Sequence, residues 1–361
     1  MCVRNLTGDP MNPLESQLDY PFGEALPAHG GVREILPGVL WVRMGLPFAL
    51  NHINLWLLRD KDEQGDGWTI VDCGIASEDT RAGWDSVFAS HLDGLPVRRV
   101  IVTHCHPDHV GLSGWLCDRW QAPLWMTTGE FGFARMMAAA LPGVDGTAAL
   151  PHFRRHGLAD ADMLDKLGSR KNYYPSLVPA VPAAYRRMQD GQPVRIGDRD
   201  WTVITGFGHS PEHASLYCAE LGLLISGDMV LPRISTNVSV FAVEPEANPV
   251  QLYLDSLAKF SHLPADTLVL PSHGKPFRGL HTRIRQLADH HDARLAEVVD
   301  ACASARSAAD IVPLMFRRPL DAHQLTFALG EALSHLHKLW FDGVLARETG
   351  ADGVVRFRRA G

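Results

Sequence analysis

Hydrophobic and polar positions follow two rhythms along this chain. Four short apolar runs, at 39–44, 53–59, 68–72 and 99–103, are interrupted by Gly, Pro, Asp and Asn, the pattern of strands. Stretches 78–92 and 110–120 bring apolar residues back every three to four positions, as helices packed on one face do. Strand-like runs return at 201–205, 221–225 and 267–270, each close to a Gly or Pro stop. The mixture predicts an α/β architecture in which two packed sheets bring several strand ends to one rim. Residues 1–34 hold Pro and Gly without a period and read as an extended arm. Residues 129–192 read as a helical insertion, with helices near 131–137 and 159–167. That insertion is either padding over its own small core or a lid whose aromatic, Met and Arg side chains shape a substrate site.

Past residue 280 the composition changes. Residues 280–303 read as one amphipathic helix with Ile284, Leu287, Leu295 and Val298 on a face. Ser307 caps a short helix ending near Phe316, and residues 320–341 form a third, stopped by Gly343. Two strand-like runs then flank Gly350-Ala351-Asp352-Gly353. Three helices and a hairpin make a winged-helix layout. The expected organisation is therefore an arm at 1–34, a catalytic domain at 35–280 and a winged-helix-like domain at 281–361.

The candidate chemistry starts at Thr103-His104-Cys105-His106-Pro107-Asp108-His109, on the loop after an apolar strand. A loop can turn alternate side chains toward one point, where a helix would spread them around its axis. Imidazole and carboxylate are ligands of zinc and similar divalent ions. Three later segments each end an apolar run and add one more such side chain: His209 in Gly208-His209-Ser210-Pro211, Asp228 in Ser226-Gly227-Asp228, and His273 in Pro271-Ser272-His273-Gly274.

This ordered set resembles the metallo-β-lactamase superfamily, and within it the dinuclear hydrolases related to glyoxalase II. Their pattern is His-x-His-x-Asp-His, a single His, a bridging Asp and a final His. The resemblance covers residues 35–280. It implies an αββα sandwich in which His104, His106 and His209 hold one metal, Asp108, His109 and His273 hold the other, and Asp228 bridges them. Asp72, in Val71-Asp72-Cys73-Gly74, matches the family's early strand-end Asp, and His213 is a further candidate for fixing imidazole tautomers. β-Lactamases of the best-known branch carry Cys where Asp228 stands, and flavodiiron reductases carry Glu where His106 stands. Both differ from this chain. In the motif Cys105 points away from the metals. The cofactors implied are two divalent ions, zinc by default, with iron or manganese taking the same ligands. The segment after residue 280 resembles the C-terminal winged-helix domain of some hydrolases of this fold.

Two divalent ions about 3.5–4 Å apart share a water and lower its pKa, giving a bridging hydroxide, and one polarises the oxygen under attack. Asp108, acceptor-only when ionised, orients that water and takes its proton. The expected activity is hydrolysis of a small carbonyl substrate, a thioester first and an ester or lactone second. The alternative is phosphodiester cleavage as by an endoribonuclease, and a non-catalytic binding protein comes third. No Gly-x-Ser-x-Gly elbow is present to support a serine nucleophile.

Charge and cysteines narrow the partners. A net charge of −7 argues against nucleic acid. Residues 281–361 hold 11 Lys and Arg against 10 Asp and Glu, a net of +1, with Arg356, Arg358 and Arg359 the dense basic cluster. The expected partner is a small molecule, with the C-terminal segment as a packing, homodimer or active-site-wall element. Six scattered cysteines without a Cys-x-x-Cys pair point to neither a zinc ribbon nor a disulfide scaffold. With no signal-peptide core and no apolar stretch of membrane-spanning length, a cytoplasmic setting is expected.

Overall fold

The computed structural model describes residues 13–48, 50–144, 146–168 and 173–361. Residues 1–12 of the expected arm, with Cys2, and residues 145 and 169–172 of the expected insertion lie outside the described residues. One sheet runs in chain order: β1 (Gly31–Leu36), β2 (Val39–Gly45), β3 (His52–Asp62), β4 (Gly65–Val71), β5 (Val97–Ile101), β6 (Leu124–Met126) and β7 (Arg186–Arg187). Strands β1 to β4 are an antiparallel meander, and β4 to β7 pair in parallel. Parallel neighbours need crossovers. Helix α1 (Glu78–His91) supplies the first, and α2 (Pro107–Val110) with α3 (Ser113–Trp120) the second. The insertion holds α4 (Thr128–Ala138), α5 (Ala149–Arg155), α6 (Ala161–Gly168) and α7 (Tyr173–Leu177).

The second sheet comprises β8 (Pro193–Ile196), β9 (Arg199–Gly206), β10 (His213–Cys218), β11 (Leu223–Gly227) and β12 (Leu268–Pro271), spatially in the order β12-β11-β10-β9-β8. Helix α8 (Pro249–Phe260) crosses between the parallel pair β11 and β12. The chain ends with α9 (Leu280–Ala301), α10 (Ala308–Met315), α11 (Ala322–Phe341) and a hairpin of β13 (Leu345–Thr349) and β14 (Val355–Arg359).

Alternating side chains divide these elements into layers. Trp41, Trp56, Val71 and Ile101 face Val203, Leu216, Ile225 and Leu270 between the sheets, and the two indoles stack at 6.2 Å. The opposite faces are apolar too. Val42, Leu55, Ile70 and Val100 pack under Trp84, Val87 and Leu116 of α1 and α3. Leu224 and Val269 pack under Val250, Tyr253, Leu257 and Leu287 of α8 and α9. The result is the expected αββα sandwich. A fourth cluster joins α9, α10, α11 and the hairpin through Val298, Ile311, Leu333 and Phe357. No helix among the described residues is long and apolar enough to cross a membrane.

Three local features differ from the sequence reading. The stretch 31–36 is an edge strand of the sheet rather than free arm. Only one of its six residues is buried, so it carries no alternation to read. The helix expected at 110–120 is broken after Val110. There the His109 carbonyl accepts from the Cys73 N–H and the Leu112 N–H donates to the Gly74 carbonyl, 2.8 and 3.1 Å, so these groups join the end of β4 instead of a helical ladder. Among its described residues the insertion has no core of its own: Phe153, Leu158, Leu164 and Leu167 pack into the C-terminal cluster, and Ala134, Tyr174 and Val178 into the first sheet's outer layer.

Candidate metal centre

Strand direction explains why distant residues meet. Strands β9, β11 and β12 run the same way, because each is antiparallel to β10 or parallel to β11. Their C-terminal ends lead to His209, Asp228 and His273, and antiparallel β10 begins on that edge with His213. In the other sheet the C-terminal ends of β4 and β5 lead to Asp72 and to the 103–109 loop. The Ala214 N–H donates to the Thr103 carbonyl at 2.8 Å and the Asn54 N–H to the Ser272 carbonyl at 2.7 Å, fastening the two edges into one rim.

The seven side chains singled out in the sequence converge there in two groups, with ligand atoms inside 4.8 Å of one another. One group is His104, His106, His209 and Asp228, and the other is Asp108, His109 and His273. Asp228 faces both: Oδ2 is 3.5 Å from His209 Nε2, while Oδ1 is 3.6 Å from His109 Nε2 and 3.5 Å from His273 Nε2. His104 Nε2 lies 2.9 Å from His106 Nδ1 and 3.2 Å from His209 Nε2. Asp108 Oδ2 approaches His273 Nε2 at 3.4 Å and His109 Nε2 at 3.7 Å. Cys105 belongs to neither group.

The outer nitrogen of three imidazoles is committed elsewhere. His209 Nδ1 donates to the Asn237 carbonyl and His273 Nδ1 to the His52 carbonyl, both at 2.8 Å. A carbonyl only accepts, so each Nδ1 carries a proton and Nε2 is the nitrogen that faces inward. His109 Nδ1 donates to Asp72 Oδ2 at 2.8 Å. Asp72 also accepts from the Thr103 N–H at 2.8 Å and from the Thr103 hydroxyl. His213 Nε2 accepts from the Asp228 N–H at 3.1 Å. That contact needs Gly227, at φ 55°, where a Cβ would lie 2.2 Å from His213 Nε2.

The two groups differ electrostatically. Burial and the neighbouring imidazoles push His104 well below its usual range, and burial with His209 takes His106 to about 3. Burial also opposes the charged form of His109 and His273, yet the carboxylates around them prevail. Asp72, Asp108 and Asp228 lift His109 to about 9, and Asp228 and Asp108 lift His273 to about 10. Asp108 is raised by burial but held down to about 2 by those two imidazoles. His109 Nε2 and Asp228 Oδ1 are both buried without a hydrogen-bond partner. A divalent cation satisfies such inward-facing atoms, so the donor set fits two metal ions.

Residues that sequence reasoning missed hold the loops. Glu130, fully buried, accepts from the Cys105 N–H at 2.8 Å, the Ser210 hydroxyl at 2.6 Å and the Glu212 N–H at 2.7 Å, tying the first histidine loop to the loop of His209. Burial raises its pKa, and those hydrogen bonds counter part of the rise. Thr127 and Glu130 have capping-box spacing, yet Thr127 donates to the Glu212 carbonyl instead of capping α4. Only the fold reveals that use. Asn54 donates to the Pro271 and Gly274 carbonyls, 2.8 and 2.9 Å, on either side of His273. The Tyr174 hydroxyl donates to the Cys105 carbonyl.

Comparison with known proteins decides the family. The model of the metallo-beta-lactamase superfamily matches residues 50–273, and that of the metallo-beta-lactamase-like C-terminal domain matches residues 295–360. The chain belongs to the metallo-beta-lactamase superfamily. Among solved structures, this superfamily member is similar to a beta-lactamase domain protein from Burkholderia ambifaria, at 61% identity and TM-score 0.92 over 97% of this chain and 100% of that one. A metallo-beta-lactamase family protein from Thermus thermophilus is 27% identical with TM-score 0.76, over 91% of this chain and 100% of that one. The probable metallo-hydrolase YqjP of Bacillus subtilis is 24% identical over 274 residues, 72% of this chain and 79% of its own. The acyl-coenzyme A thioesterase MBLAC2 of Gallus gallus is 28% identical over 287 residues, 76% of this chain and 91% of its own. Fold and relatives together make this superfamily member a hydrolase.

Proposed function

We propose that this chain is a dinuclear metal-dependent hydrolase of a small carbonyl substrate, a thioester first and an ester or lactone second. The observation that carries the dinuclear reading is Asp228, whose two oxygens face two separate groups of ligand atoms. His104, His106 and His209 would hold one ion and Asp108, His109 and His273 the other. Zinc is the default, and iron or manganese accept the same imidazole and carboxylate set. Such a pair supplies a water acidified toward neutral pH and a Lewis acid for the substrate oxygen.

The chain's own residues do the rest. Asp72, Asn237 and His52 fix the ring tautomers, and Asp228 sets the spacing of the two groups. Asp108 lines the cavity above them, orients the attacking water and takes up its proton. A thiolate leaves without needing a proton, which suits a site whose buried histidines are committed as ligands. The cavity mouth supports an uncharged acyl group: its described lining includes Phe48, Leu50, Leu177, Leu231 and Ile234 and no Lys or Arg. Phosphodiester cleavage loses support, because the basic cluster is internally paired. Arg356 binds Asp352, Arg358 lies 3.6 Å from Glu348 and Arg359 binds Asp300.

The test is initial-rate hydrolysis by metal-loaded protein beside Asp108→Ala. The panel holds coenzyme A and glutathione thioesters, lactones, an aryl ester, an aryl phosphodiester and a short RNA. Thioester or lactone turnover that falls about 100-fold or more in the variant is expected for a lost general base. Turnover confined to the phosphodiester and RNA overturns the carbonyl reading.

A further inference from the structure

The C-terminal helix reaches the metal cavity. His323 and Phe327 lie one turn apart on the first turns of α11 and line the cavity that holds His106, Asp108, His209, Asp228 and His273. They do not sit there alone. The His323 ring is 5.0 Å from Phe327, 5.7 Å from Tyr173 at the start of α7 and 6.0 Å from Phe48 on the loop between β2 and β3. Three sequence regions, separated by more than a hundred residues each, thus bring four half-buried rings to one mouth. Asp321 fixes the start of α11 by a capping box with Gln324, so the first turn that carries His323 is held in place. A ring wall around a cavity of about 120 Å³, ending in carboxylates and imidazoles, has an apolar end and a reactive end.

We propose that His323 and Phe327 of α11, with Tyr173 and Phe48, form the acyl-chain site of this hydrolase, and that the C-terminal segment thereby sets specificity for an apolar acyl group. This rests on the carbonyl-hydrolase reading above. The polar portion of the leaving group stays outside, because the described lining includes no Lys or Arg to hold it. His323 acts as wall through its ring, as its packing among three aromatic neighbours indicates, and is a specificity residue. A pocket of this kind discriminates chain length because each added methylene leaves water only if the wall is intact.

The experiment uses the full-length, metal-loaded protein and N-acetylcysteamine thioesters from acetyl to octanoyl. The variants are His323→Ala, Phe327→Ala, Phe327→Leu and His323→Phe, each checked for metal content and melting temperature. Wild type should prefer hexanoyl over acetyl in kcat/KM. Alanine at either position should cut that preference about tenfold, mostly through KM, since a methylene in such a pocket is worth about tenfold or more. Leucine at 327 and phenylalanine at 323 should restore most of it. Loss of the preference in His323→Phe would show that the imidazole nitrogen, not the ring wall, matters and overturns the assignment. An unchanged chain-length profile in both alanine variants overturns it too, while leaving the hydrolase reading standing. If no thioester turns over, the reaction class fails instead. Calorimetric binding of the hexanoyl ketone in which CH2 replaces sulfur then decides the site: binding weakened by either alanine variant upholds it, and no binding overturns it.

Discussion

Replacing Asp72 with asparagine tests how the second ligand group is oriented. The exchange hardly alters volume, and Asp72 sits at φ 63°, a left-handed conformation that asparagine tolerates, so the effect isolates one side-chain oxygen. Oδ1 accepts from the Thr103 N–H and Oδ2 from His109 Nδ1, each at 2.8 Å. An amide has one acceptor for these two donors. If its oxygen keeps Thr103, its NH2 faces His109 Nδ1 and drives the ring proton to Nε2, the atom 3.6 Å from Asp228 and 3.7 Å from Asp108. If the amide flips, its NH2 meets the buried Thr103 N–H. Either way a charge-assisted hydrogen bond of about 1.5–3 kcal/mol is lost. Removing such a partner of a metal-holding histidine costs about 10–100-fold in metal affinity. We therefore expect metal-stripped Asp72→Asn to lose about 2–3 kcal/mol in urea unfolding. Against chelator-buffered zinc, one of two binding steps should shift by about one to two decades, the step at His104, His106 and His209 staying in place. Two unshifted binding steps together with a wild-type urea midpoint would refute the view that Asp72 sets the His109 tautomer.

Gly227→Ala should lower stability by about 2–4 kcal/mol, from a strained left-handed alanine and a Cβ driven into His213. Because His213 holds the Asp228 N–H, metal content should fall as well; a wild-type melting temperature and full metal content would contradict the contact. Acid should destabilise the metal-stripped protein early, in part through the C-terminal layer. Burial and neighbouring histidines take His156 to about 3 and His291 to about 2, and burial takes His335 to about 4. These folded values lie below the unfolded value of about 6.5, so the unfolded chain binds protons first, and stability falls as pH drops from about 6.5 toward 4 at up to about 1.4 kcal/mol per unit for each ring. His109 and His273, raised in the fold, contribute a constant below that upper limit. A urea midpoint of metal-stripped protein that stays flat between pH 6.5 and 4.5 would exclude this linkage.

The order of candidate ligand types was legible in the sequence, because each stands where an apolar run meets a Gly or Pro and the candidates of one loop are neighbours in the chain. His104, His106, Asp108 and His109 need only local geometry to share a point. The cap at Ser307 and the stop at Gly343 were legible for the same reason: their hydrogen bonds and left-handed φ are settled within a few residues. What holds the ligands in place was not. Glu130 joins two loops, at Cys105 and at Ser210, that are about a hundred residues apart, Asn54 reaches across to the carbonyls around His273, and the carbonyl that orients His209 belongs to Asn237. Edge strand β1 was invisible because it buries too little to impose a period. The insertion's place was decided by two separate cores that its side chains join. Sequence determines contacts whose partners lie within a turn or a loop. Partners from different strands are chosen only when strand direction brings their ends to one rim, and it is there that His323 of α11 comes to line one cavity with His106, Asp108, His209, Asp228 and His273.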